Sequence, residues 1–189
     1  RHGPFHSRRQ ALHYQEGGGQ VRVKSLADGK ITLWGLTTEP ADLKNLKATD
    51  LASATKLSCS IMKSDYALVP TGSSTVNEVE MCVLGEGNAF GPSAASGSLT
   101  VFWYLNEDGT MTAADNAVWD LLKAKGTELI LVEREGVVES TAAAAKQLVS
   151  IYRVTTDSPQ PPSDRFSGYS KRTIPLAVQI VALNVELAA

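Results

Sequence analysis

Past residue 20 the sequence contains no histidine; all three, His2, His6 and His13, lie in the first twenty residues. That removes from the body the Ser-His-Asp and Cys-His arrangements of nucleophilic catalysis and most zinc sites. Cysteine is scarce as well, with only Cys59 and Cys82. Both fall in strand-like runs, where a cysteine is most often a buried free thiol. A disulfide between them requires that those runs pair, and nothing else suggests an oxidising compartment, so a reducing cytoplasm is expected. Neither cysteine has a cationic neighbour in sequence to lower its pKa.

No apolar run approaches the roughly 18 residues of a membrane-spanning helix. The first residues lack the charged-then-apolar pattern of a secretory signal. The net charge is only −2, unlike the basic balance of a nucleic-acid-coating protein. Gly85, Gly87 and Gly91 are wrongly spaced for a dinucleotide fingerprint, and a strand follows them instead of a helix. Trp34, Trp103 and Trp119 read as packing residues. No pair of carboxylates stands out as catalytic. The expectation is a non-enzymatic binding or structural protein without catalytic, cofactor or metal residues.

What is present is an ordinary globular composition, 43% hydrophobic and 20% charged over 189 residues. The opening "RHGPFHSRRQALHYQEGGGQ" stands apart. It holds three arginines against Glu16, which leaves 15 basic and 19 acidic residues in 21–189. The His2/His6 spacing suits a metal pair on a helix, but Pro4 and Gly17–Gly19 oppose a helix there. The segment reads as a disordered terminus or as non-native. Gln15-Glu16-Gly17-Gly18 is what an AGGAGG-type ribosome-binding sequence encodes, and Val21 follows at the distance of an alternative start codon. The expected division is therefore 1–20 as an extension, 21–56 as N-terminal strands and an arm, and 57–189 as a β-sandwich domain.

Along the body, residues 21–37 hold two β-like runs around the turn Asp28-Gly29. Residues 38–56 keep no period; Leu43, Leu46 and Leu51 suit a short helix or an extended arm. In "LSCSIM" (57–62), Leu57, Cys59 and Ile61 alternate with serines, predicting a half-buried strand. In "VNEVEMCVL" (76–84), Val79, Met81 and Val83 share one face and Glu78 and Glu80 the other, predicting a core side and a wet acidic side. Residues 85–97 read as a Gly-Ser loop, and "SLTVFWYL" (98–105) as a central strand.

The clearest helix spans about 113–125. Thr112 and Asp115 fit a capping box, and Ala114, Val118, Leu121 and Leu122 make an apolar stripe. Lys123 and Lys125 suit its negative end, Gly126 its stop, and Asp120 lies off the stripe. Strands follow at "ELILVERE" (128–135), "QLVSIYRVT" (147–155) and "TIPLAVQIVALNVEL" (173–187). Residues 157–172 form a loop with three prolines, too long to be a simple connector.

The order of these segments carries a resemblance. "ADLKNLKATDLA" and "KLSCSI" precede "GSSTVNEVEMCV" and "GSLTVFWYLNEDG"; then come "DNAVWDLLKAKGTELILVERE" and "YSKRTIPLAVQIVALNVEL". Over roughly residues 28–187 the chain resembles the tail tube (major tail) proteins of long non-contractile-tailed bacteriophages, of the actinobacteriophage type. The resemblance implies a mainly β, two-sheet sandwich or barrel with one flanking helix. It implies stacked, hexameric rings around a lumen, assembled in the bacterial host cytoplasm into the virion tail. It also implies that the subunit partners itself, the tape-measure protein, and tail terminator and tip proteins, while genomic DNA passes without specific binding and no membrane is involved. The helix stripe Ala114, Val118, Leu121 and Leu122 would cover the sandwich, Glu78 and Glu80 would face the lumen, and Arg165, Lys171 and Arg172 would serve an inter-subunit loop. The alternatives are a monomeric immunoglobulin-like adhesive module and a hexameric ring protein of a contractile injection or secretion system.

Overall fold

The computed structural model describes residues 27–76, 81–82, 89–90 and 93–189. Alternating aliphatic and β-branched residues give these segments nine strands: β1 (Ile31–Leu36), β2 (Thr55–Lys56), β3 (Ala67–Thr71), β4 (Thr75–Val76), β5 (Ala89–Phe90), β6 (Ala94–Phe102), β7 (Glu128–Glu135), β8 (Leu148–Thr156) and β9 (Lys171–Glu186). Seven form one antiparallel sheet in the order β2-β1-β7-β8-β9-β6-β3, and β4 pairs with β5 in a separate ribbon. Among the described residues the only α-helix is α1 (Ala117–Leu122). The protein is thus mainly β with a single flanking helix, as the sequence leads one to expect.

The sheet carries a core on each face. Strand alternation sends Leu33, Leu131, Tyr152 and Ile174 to one side, where Val118 and Leu122 of α1 cover them. It sends Trp34, Val132 and Ile151 to the other, where Leu43, Leu46 and Leu51 close over them. β7 is consequently buried on both faces along Leu129–Arg134. The segment 38–56 is therefore no free arm. Two 3₁₀ turns, Leu43–Asn45 and Asp50–Ser53, fold its leucines onto the chain's own sheet. Ala188 donates to the Leu46 carbonyl at 2.8 Å and ties the C-terminal end to the same layer.

Pro175 sits five residues into β9, between β8 and β6. Its carbonyl accepts from Asp157 N at 2.9 Å, just past the end of β8. A strand residue's N and carbonyl point the same way, so the missing N–H falls where the neighbouring ladder has stopped. Gly126 takes φ +83° but is not the helix stop expected of it: α1 is capped at Lys123, and Gly126 lies in the turn that leads into β7, donating to the Thr156 carbonyl at 2.8 Å.

Several expectations change. "LSCSIM" is not a strand: Ser58–Ser60 forms a 3₁₀ turn. Ser58 Oγ accepts from Leu33 N at 2.8 Å, so a side chain occupies the place of a ladder carbonyl beside β1. Leu57 stays buried, but Cys59 is exposed, as is Cys82, which lies in a turn. Met81 is fully exposed instead of core-facing; Val79, Val83, Glu78 and Glu80 lie outside the described residues, as does the extension 1–20. Ala94–Gly97, expected as loop, begins β6, which ends at Phe102, short of Trp103–Leu105.

α1 is shorter than 113–125, and no capping box forms at Thr112 and Asp115. Its N-cap is Asn116, whose side chain makes no cap bond. Asn116 is buried and its amide is already engaged: Oδ1 accepts from Tyr104 N at 2.8 Å, and Nδ2 donates to the carbonyls of Tyr104 at 2.9 Å and Thr112 at 3.0 Å.

Candidate assembly surfaces

Where β6 ends and β9 begins, several aromatic residues gather. Trp103 leaves the strand and packs on Trp119 of α1, ring centroids 5.1 Å apart. The Asn116 amide clasps Tyr104, which fixes the start of the 103–112 loop. Tyr169 meets Phe102 edge-on at 6.2 Å. Phe102, Trp103, Tyr104, Leu105 and Tyr169 line a groove of about 460 Å³. Arg172 lies over the Trp103 ring at 4.7 Å.

The loop above this groove is pinned internally. Gln160 exchanges backbone hydrogen bonds with Thr173 at 2.7 and 2.9 Å. Asp164 accepts from Phe166 N at 3.1 Å and from the Ser167 hydroxyl, and these bonds hold its carboxyl below the usual range. Gly168 at φ +73° turns the chain back into β9. Phe166 is left fully exposed and Tyr169 nearly so. An aromatic cluster of this kind on the surface marks an interaction region.

The sequence-derived residues fall as follows. Arg165 is exposed in the loop, whereas Lys171 and Arg172 belong to β9, paired with Phe102 and Val101. Val118 and Leu122 are buried, Leu121 is half-buried above Gly35, and Ala114 is exposed and outside the helix. Asp120 pairs with Lys123 at 2.6 Å on the exposed side.

Two buried polar residues were not legible as such. Arg134 donates to five oxygens of the surrounding chain. Glu133 is buried and accepts from the Tyr66 hydroxyl. Burial raises the pKa of both Glu133 and Tyr66, with the Glu133 charge adding to the effect on Tyr66. Each lies in a run that reads simply as strand; only tertiary packing makes it polar core. Among the described residues no three His, Cys, Asp or Glu side chains gather as a metal set.

Among the described residues the sheet ends at β3 on one side, which pairs only with β6, and at the two-residue β2 on the other, where Leu57 N and Ser58 Oγ also bond to Leu33 of β1. Exposed strand edges and an exposed aromatic groove are the surfaces of a subunit made to associate. The family model for the phage tail tube protein matches residues 20–189, and the chain belongs to that family. It is a structural component of the virion tail that self-assembles into a tube with other tail proteins. No curated protein sequence matches this one.

Proposed function

We propose that this subunit closes into rings, six to a ring, that stack into the tube through which phage DNA leaves. The observation that carries this is the pair of sheet ends. Among the described residues the sheet ends at β3 on one side and at the two-residue β2 on the other, and pairing edge to edge around a closed ring leaves neither end in solution. Within this reading the tape-measure protein occupies the lumen during assembly in the host cytoplasm, and terminator and tip proteins cap the stack. Glu78 and Glu80, placed on one face by sequence alternation alone, are proposed to face the lumen, where carboxylates repel phosphate and leave DNA free to slide. Electron microscopy of the purified chain at rising concentration tests the reading. Stacked rings with sixfold top views are expected; particles that stay monomeric overturn it.

A further inference from the structure

At the end of the sheet opposite the aromatic groove, four strands set one residue each in a row. Ile31 pairs with Glu135. The β7–β8 register runs through Arg134 opposite Val149, and one step further sets Glu135 opposite Leu148. Leu148 pairs with Glu186. Directly paired residues share a face, so the row reads apolar, acidic, apolar, acidic. Ile31 is 36% and Leu148 52% exposed, and Glu135 and Glu186 are exposed as well. Among the described residues neither glutamate makes an ion pair.

The groove end has the complementary chemistry. Arg172 lies over Trp103, Lys171 pairs with Phe102, and Arg165 is exposed in the loop next to Phe166; none of the three makes an ion pair among the described residues. β9 connects the two ends directly, with Lys171 its first residue and Glu186 its last. Sixteen residues at ~3.3 Å each set the ends on the order of 50 Å apart.

We propose that the basic aromatic end of one subunit seats the Ile31-Glu135-Leu148-Glu186 row of a second copy of the same chain, displaced along the β9 axis. This rests on the tube reading above and names the partner surface within it. A twofold pairing about the middle of β9 would also set opposite charges together, but it would close at two copies. A head-to-tail translation sets opposite charges together and repeats without closing, which is what a growing tube needs. The aromatic and aliphatic residues supply burial, and the charges supply direction and register.

The test uses the full chain in two reversed forms. Arg165→Glu with Lys171→Glu makes both ends acidic; Glu135→Lys with Glu186→Lys makes both ends basic. Sedimentation velocity and electron microscopy give the concentration at which polymer appears, and circular dichroism checks folding. Each variant alone is expected to need about tenfold more protein than wild type. Mixed in equal amounts, the two should recover polymerisation by alternating. Phe166→Ser, a change at a fully exposed position, should weaken assembly with no change in melting temperature. Folded single variants that polymerise like wild type, or a mixture that does not recover, overturn this contact and leave the tube reading standing. A wild type that stays monomeric overturns both.

Discussion

Arg134 lies over the indole of Trp34, its guanidinium carbon 4.9 Å from the ring centroid, buried in the second core layer. Among the described residues it makes no ion pair, and it spends its donors on oxygens. It donates to the carbonyls of Val138, Thr141 and Ala142, to Gln147 Oε1 and to Thr32 Oγ1, at 2.9–3.3 Å. One arginine thus holds the 136–147 connection against the sheet.

Arg134→Lys keeps the charge but not the planar fork. The buried Thr32 Oγ1 and several half-buried acceptors lose their donor, at a cost of roughly 2–4 kcal/mol. Urea unfolding should show the loss, and limited proteolysis should cut first within 136–147. Unchanged stability would mean the loop is held by its backbone alone.

Glu133 gives stability a pH dependence of defined sign. Burial raises its folded pKa above the ordinary 4.5. The folded state therefore holds its proton more tightly than the unfolded state. On this group's account stability rises as pH falls through the folded pKa, levels off near the ordinary value, and is lowest above the folded pKa. Glu133→Gln, which still accepts from Tyr66, should stabilise the protein at pH 8 and much less at pH 4.5. Denaturation curves for both chains between those values check this; a constant difference would exclude ionisation as the cause.

Gly97 is required by space. A Cβ there would lie 2.7 Å from Val178 Cγ2 and 3.2 Å from Leu68 Cδ1. Gly97→Ala should cost about 1–3 kcal/mol by overpacking. Adding Val178→Ala removes the nearest atom, so the double variant should lose less than the two single losses combined. Thermal melts of all four chains form the cycle.

Leu122, the last residue of α1, is fully buried against the sheet, and Leu122→Ala should cost about 2–4 kcal/mol through the cavity it leaves. Asp120→Ala removes a half-exposed pair with Lys123 and should change stability by less than about 0.5 kcal/mol. Tube formation should survive Asp120→Ala; loss of assembly in a folded protein would reveal a contact on the outer face of the helix.

Deleting 161–168 removes Phe166 and Arg165 but spares the Gln160–Thr173 pair that closes the loop base. The shortened chain should remain folded and fail to polymerise, as read by sedimentation. Normal tubes from it would make the loop dispensable.

Apolar patterning in the sequence determined where most of the sheet lies. The unbroken apolar run in "ELILVERE" and the β-branched run from Thr173 onward marked β7 and β9 nearly to the residue, because a strand covered on both faces reads as a short continuous apolar run. A turn at Gly126 was equally legible, since few other residues accept φ +83°, although the helix ends before it, at Leu122. Tertiary structure decided what local pattern leaves open. "LSCSIM" alternates as a strand does, yet Ser58 bonds to Leu33, 25 residues away, and the segment turns instead. The helix shortened because Asn116 is spent on Tyr104, a partner the helix pattern does not contain. The Leu43, Leu46 and Leu51 triplet signalled apolar packing but not its partner, the chain's own second face. The assembly surfaces were the least legible part. The row Ile31, Glu135, Leu148 and Glu186 draws one residue from each of four strands, and only the register of the sheet makes them neighbours.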